Sequence, residues 1–250
     1  MDEPIDVTIV VAAYDEERLL PRCLSSIAAL EGPRAEVIVV DNGSTDRTAE
    51  IAAAHAFVRV VREPCLGAVH AKAAGVAAAR GALVAILDAD STCPPDWLTH
   101  IRVAFAEDAQ LVGLTGPARY VDGRAWVPYV IWSWYAWWRV VGFFARRAVY
   151  AVGTNVAFRR EAYTCSAGFD TRLLVGGDEI ALFSSLSKVG KTRYDPHLVV
   201  STDARRGNLG LVRFFWEVFL LRYVLNYAWC KLTGRTLTRG YTPGSSLARR

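Results

Sequence analysis

Three places in the 250-residue sequence set carboxylates where they can meet a ligand. Asp88-Ala89-Asp90 follows the apolar run 83–87. Two carboxylates two residues apart at a strand end offer hard oxygens to a divalent cation, and Mg²⁺ or Mn²⁺ on such ligands also bridges phosphates. The structural alternative is a solvated turn before a helix that starts near Pro94. Asp41 ends a second apolar run, ahead of Asn42-Gly43-Ser44-Thr45-Asp46. Asn-Gly makes the turn there, and Ser44 or Thr45 suits a helix N-cap. Asp41 is then left to accept hydrogen bonds from a ribose or a base. Asp178-Glu179 follows Gly176-Gly177 and opens a helix. Acids suit a first helical turn through the dipole. The glycines also let the backbone carry one carboxylate against a substrate hydroxyl, as a general base.

These positions need a frame. Residues 7–12 and 82–87 are runs of β-branched and aliphatic side chains, the pattern of strands buried on both faces. Further strands are predicted at 36–40, 58–62 and 111–115. Helices are predicted at 18–30, 44–55, 68–80 and from Pro94 to about Ala106. Strand-helix alternation of this kind predicts an α/β fold with a mostly parallel sheet and right-handed crossovers. Ligands in such sheets bind beyond the carboxyl ends of the strands. Tyr14-Asp15-Glu16, Asp41-Asn42 and Asp88-Ala89-Asp90 all fall there. After residue 115 the rhythm changes. Residues 126–145 hold five tryptophans and one charge, Arg139. Residues 153–160 read as a loop, 180–188 as a helix, and 191–195 and 198–201 as short strands.

Together these motifs resemble the family 2 glycosyltransferases, inverting enzymes of GT-A fold, over about residues 5–205. The segment from Val10 to Glu17 is similar to the family's base-binding strand end, with Ala12 and Asp15 where Pro and Asn are usual. That implies nucleotide contacts from Ala13, Tyr14 and Glu16. The ten residues from Val39 to Thr48 match in register and imply that Asp41 meets the nucleoside. Ala71-Lys72-Ala73-Ala74-Gly75 resembles a segment that normally reads Ala-Arg-Asn-x-Gly. Lys72 then replaces an arginine that contacts diphosphate or base. Asp88 and Asp90 match the metal motif, which implies Mn²⁺ or Mg²⁺, with Asp90 the usual ligand. Gly153, Thr154 and Asn155 resemble the loop facing donor sugar and acceptor. The family's Glu-Asp pair lies eleven residues before a glycine. Counting back from Gly190 puts Glu179 in the Asp position and Asp178 in the Glu position, so the pair is inverted. Register favours Glu179 as the base, with Asp178 the alternative. The resemblance divides the chain into a nucleotide-sugar half, 1–115, an acceptor half, 116–205, and a basic aromatic segment, 206–250.

The composition is 52% hydrophobic and 22% charged, which excludes a disordered chain. The net charge of +4 hides a split. From Arg205 onward there are nine Lys/Arg and one acid, Glu217, so the rest carries a net −4. A basic end suits membrane headgroups or a phosphate. Arg205 and Arg206 are candidates for a lipid phosphate or the donor diphosphate, or form a solvated basic turn. The body lacks a basic groove, so nucleic acid is not an expected partner. Residues 126–145 are long enough to span a bilayer. A single crossing, however, would put the Asp88 motif and the Asp178-Glu179 pair on opposite sides. An in-plane or core-packed aromatic segment is therefore expected, with Trp and Tyr at headgroup depth. Residues 209–232 form a wide apolar girdle, read as peripheral membrane attachment, with a homodimer interface as the alternative. The opening Met-Asp-Glu-Pro predicts no cleaved signal peptide. Five scattered cysteines without C-x-x-C spacing predict buried reduced thiols in a cytoplasmic protein. His197 reads as a turn histidine sooner than as a metal ligand.

The expectation is a metal-dependent enzyme moving sugar from a nucleoside-diphosphate sugar to a lipid-linked or saccharide acceptor, on the cytoplasmic membrane face. A non-catalytic nucleotide sensor or membrane-docking protein on the same fold, and a nucleotidyltransferase, are the competing readings.

Overall fold

A computed structural model describes residues 6–33, 35–121, 126–145, 148, 151–174, 177–204 and 225–233. The β-branched runs form the centre of a seven-stranded sheet. Its strands are β1 (Val7–Ala13), β2 (Glu36–Asp41), β3 (Val58–Arg62), β4 (Leu83–Asp88), β6 (Leu111–Thr115), β8 (Val156–Arg159) and β9 (Lys191–Tyr194), in spatial order β3-β2-β1-β4-β8-β6-β9. All neighbours run parallel except those of β8, which lies antiparallel to both β4 and β6. A second sheet joins β5 (Ser91–Thr92), β10 (Val200–Asp203) and β7 (Ala118–Val121), in the order β5-β10-β7.

Helices cover both faces of the large sheet. On one face lie α1 (Leu20–Ala28) and α4 (Trp97–Glu107). The first inserts Leu20, Cys23, Leu24 and Ile27, and the second Trp97, Leu98, Ile101 and Phe105. On the other face lie α3 (Ala68–Ala78), α6 (Arg160–Cys165) and α7 (Asp178–Leu186). The short α2 (Thr48–Ala53) packs beside β3. Both cores consist of aliphatic side chains alternating along β1, β2 and β4, as a two-sided sheet requires.

Three local expectations are corrected. Residues 153–160 contain strand β8, because Val156, Ala157 and Phe158 are buried between β4 and β6. Three apolar residues are too short a run to signal a strand. Ser44 and Thr45 do not cap α2, which begins only at Thr48. They bond to Asp15 instead. Of the cysteines, Cys23, Cys93 and Cys230 are buried, but Cys65 and Cys165 are exposed.

The tryptophan-rich segment is helix α5 (Val127–Ala145). Val127, Ile131 and Tyr135 pack into the core, and Tyr135 Oη accepts a 3.4 Å hydrogen bond from the Ala118 amide. Tyr129, Trp132, Trp137, Val140 and Phe144 are exposed. Among the described residues no helix is long and apolar enough to cross a membrane. After α5 the chain re-enters the same sheet as β8. Helix α8 (Asn226–Thr233) brings buried Cys230 against Leu173 and Ala181. Arg205, Arg206 and most of the 209–232 girdle lie outside the described residues.

Candidate active site

The register of the central strands assembles the first half of the site. Ala13 of β1 pairs with Asp41 of β2, and Ala12 pairs with Asp88 of β4. Asp41 and Asp88 therefore flank the carboxyl end of β1. Asp41 is buried, and its Oδ1 accepts from the Ser44 amide at 3.1 Å. Its neighbour Asn42 is spent on structure. The Asn42 amide donates to the carbonyls of Glu63 and Cys65, and its oxygen accepts from the Gly67 amide at 2.8 Å. These bonds fix the start of α3.

The loops after β1 and β2 are stitched together. Asp15, at a left-handed φ of 50°, accepts from the Thr45 amide at 2.7 Å. Such a conformation suits Asp and Asn better than most residues. The Asp15 amide donates to Ser44, and the Glu16 amide to Thr48 Oγ1 at 2.7 Å. This holds Tyr14 and Glu16 at the carboxyl edge beside Asp41.

Asp88 and Asp90 are held by Thr154, from the 153–155 loop, and by Ser91 and Thr202, which no sequence signal marks. The Asp88 amide donates to Thr154 Oγ1 at 3.1 Å, and Thr154 donates to Ser91 Oγ at 2.6 Å. Asp90 Oδ1 accepts from Ser91 and from Thr202 on β10. Thr154 thus braces the acidic turn from beneath. Asn155 is fully buried and donates to the carbonyls of Pro117 and Leu198, while its oxygen accepts from Trp97 Nε1. Its amide is committed to the scaffold. No spacing signal connects Thr202 or Trp97 to this loop, since both contacts are long-range.

The second half of the site is buried ionic chemistry. Lys72, from the second turn of α3, lies 2.8 Å from Glu179 Oε1, 3.6 Å from Asp178 Oδ2 and 3.9 Å from Asp88 Oδ1. The Lys72, Asp178 and Glu179 side chains are 4%, 7% and 7% exposed, while Asp88 is 39% exposed. Lys72 is therefore spent on carboxylates at the inner wall of the site. Gly177, at φ 87°, makes the left-handed entry that swings both acids of α7 inward. Gly153 allows the close approach of Glu179. A Cβ there would stand 1.9 Å from Glu179 Oε1.

The environment divides the two acids. Burial, then repulsion from Glu179, pushes Asp178 up to about 8. Its Oδ2 has no hydrogen-bond partner among the described residues. Burial also opposes ionisation of Glu179, but the Lys72 charge and hydrogen bond outweigh it and hold Glu179 below its ordinary value. Burial opposes the Lys72 charge too, yet Glu179, Asp178 and Asp88 raise its pKa well above normal. At neutral pH Asp178 keeps its proton and Glu179 is the carboxylate.

Asp88 and Asp90 suit a hard divalent cation. Among the described residues no group of three or more His, Cys, Asp or Glu is placed to hold a metal. The chain would supply these two carboxylates, and phosphate and water oxygens the remainder, a common arrangement for Mg²⁺. His197 is exposed, and its amide donates to Asp195 as a turn residue.

The sequence model described as Glycosyl transferase family 2 matches residues 8–166. The succinoglycan biosynthesis protein ExoO of Rhizobium meliloti (strain 1021) is 30% identical over 98% of this chain and 76% of its own length. The undecaprenyl-phosphate 4-deoxy-4-formamido-L-arabinose transferase of Pseudomonas aeruginosa is 40% identical over 44% of this chain, which spans about a third (35%) of that protein. The solved structure of mannosyltransferase PcManGT from Pyrobaculum calidifontis, in complex with GDP-Man and Mn²⁺, superposes with a TM-score of 0.68 at 23% identity, covering 99% of this chain and 68% of that one. That likeness establishes the fold: a mostly parallel α/β sheet of GT-A type.

Proposed function

The chain belongs to glycosyl transferase family 2 and is a glycosyltransferase, and from that premise we propose a metal-dependent, inverting transfer from a nucleoside-diphosphate sugar. The observation that carries this reading is the convergence on Lys72. Its ammonium stands within 3.9 Å of both the Asp88 strand end and the acid pair of α7. A donor held at the first and an acceptor activated at the second would meet across one small space.

Asp41, with Ala13, Tyr14 and Glu16 beside it, takes the nucleoside. Asp88 and Asp90 would hold Mn²⁺ or Mg²⁺, which when bound would supply charge neutralisation for a leaving diphosphate. Glu179 accepts the proton of the acceptor hydroxyl, being the ionised member of its pair. Attack opposite the nucleotide inverts the anomeric carbon. No covalent nucleophile is needed. A phosphate acceptor is already ionised and makes less demand on Glu179.

Succinoglycan synthesis in one relative and an undecaprenyl-phosphate acceptor in another support a role in polysaccharide or cell-envelope synthesis. The exposed aromatic face of α5 supports attachment to the inner face of the cell membrane. Tyr129, Trp132, Trp137 and Phe144 present rings suited to headgroup depth, with Arg139 on the flank. The test of the donor site is a thermal shift against UDP-, GDP- and dTDP-sugars with Mn²⁺. One nucleotide class should raise the melting temperature, because a ligand that binds only the native state stabilises it. No shift with any class, with or without metal, would overturn the reading.

A further inference from the structure

Lys72 stands where the family resemblance leads one to expect an arginine that grips diphosphate or base. Its surroundings give it different work. The side chain is 4% exposed, so its ammonium presents almost no surface to a ligand entering from solvent. Glu179 takes a direct hydrogen bond at 2.8 Å, and the carboxyl groups of Asp178 and Asp88 stand at 3.6 and 3.9 Å. A phosphate could take the place of Glu179 on this ammonium only by leaving that buried carboxylate unpaired, which is strongly unfavourable.

The opposite side of the same carboxylate is also fixed. Glu179 Oε1 lies so close to the Gly153 backbone that a methyl group at that position would sit 1.9 Å from it. One oxygen is thus held between an ammonium from α3 and the loop before β8. Helix α3 is itself fixed against the sheet, with Gly75 pressed onto Val10 and Val40. The choice of lysine fits this arrangement. A compact ammonium can serve carboxylates arriving from several directions, whereas a guanidinium's planar fork suits one two-oxygen partner.

We propose that Lys72 is a positioning residue for Glu179, clamping its carboxylate against the Gly153 loop, and does not grip the donor's diphosphate. The proposal rests on Glu179 being the general base. Two quantities separate the possibilities: calorimetric affinity for UDP, GDP or dTDP with Mn²⁺, and release of nucleoside diphosphate from the matching sugar nucleotide. Lys72→Met should lower kcat by about 10²-fold or more, the scale of general-base catalysis, with diphosphate affinity changed less than about threefold. Gly153→Ala, which moves Glu179 from the other side and keeps the lysine, should give the same pattern. Lys72→Arg keeps the charge and serves if the methionine variant does not fold. It should lose about tenfold or more in kcat at unchanged affinity, since the fork shifts the clamped oxygen. An affinity loss of tenfold or more in either Lys72 variant, or wild-type kcat in Lys72→Arg, would overturn the proposal. Glu179→Gln is measured alongside. Wild-type turnover in that variant would overturn the base assignment itself. An inactive Glu179→Gln beside Lys72 variants that lose only affinity would overturn the clamp alone.

Discussion

Asp178→Asn should stabilise the protein, and the gain should grow with pH. Asp178 is buried, and burial together with the Glu179 charge raises its folded pKa from 3.8 to about 8. The folded state therefore holds a proton that the unfolded chain releases above pH 3.8. By linkage, the associated stability is complete below pH 3.8 and is lost progressively as pH rises toward about 8. Each pH unit in that window is worth at most about 1.4 kcal/mol. Asparagine keeps the shape and has no proton to lose. Relative to wild type, Asp178→Asn should then gain up to roughly 4 kcal/mol between pH 5 and pH 8. The neighbouring acid does not confound the trend. Glu179 has a folded pKa below 4.5, so its opposite contribution is fully present above 4.5 and is lost only as pH falls further. Lys72, raised well above 10.5, stays charged throughout. Urea unfolding of both proteins at pH 5, 6, 7 and 8 measures the difference, provided the denaturant slope is unchanged. A stability difference that is flat with pH, or that shrinks as pH rises, would refute the assignment of the proton to Asp178.

Three further outcomes follow from the same geometry. Glu179→Gln should reduce turnover by about 10²- to 10⁴-fold on a hydroxyl acceptor, while Asp178→Asn stays within about tenfold of wild type; the reverse order in an assay of nucleoside diphosphate release would move the base to Asp178. Gly75→Ala should cost about 1–3 kcal/mol in thermal or urea melts, since its Cβ would sit 2.2 Å from Val10 Cγ1 and α3 must shift. Trp137→Glu with Phe144→Glu should abolish flotation with anionic vesicles at low salt and leave the melting temperature within a few degrees, because both side chains are exposed; wild-type protein that stays wholly in the soluble fraction would sink the membrane reading.

The parallel half of the fold was legible because its strands are buried on both faces. Runs such as 7–12 and 111–115 leave little else for the chain to do. The acidic motifs at the ends of β2 and β4 were legible for the same reason, since the sheet itself fixes where a strand-end carboxylate points. Strand β8 was not, because Val156–Arg159 carries only three buried apolar residues and gains its pairing from β4 and β6. Of the small sheet only β10 was anticipated, by the strand expected at 198–201, since Ser91–Thr92 has no period to read. Asn42 and Asn155 show how residue type alone misleads. Both are polar residues at the carboxyl edge, and both turn their amides to backbone carbonyls. Lys72 shows the converse. Its place in a helix was readable, but its burial among three carboxylates depends on Gly177 swinging α7 inward and on the long-range approach of Asp88.

The central claim is that donor and acceptor chemistry meet at Lys72 between Asp88 and Glu179. Its most direct test is to incubate the purified chain with Mn²⁺, a panel of UDP-, GDP- and dTDP-sugars and an undecaprenyl-phosphate or saccharide acceptor, and to identify the products by mass spectrometry and NMR. Free nucleoside diphosphate and a glycosylated acceptor of inverted anomeric configuration are expected, both abolished by Asp90→Asn. Release of pyrophosphate would make it a nucleotidyltransferase. Nucleotide binding without turnover of any donor would make it a sensor.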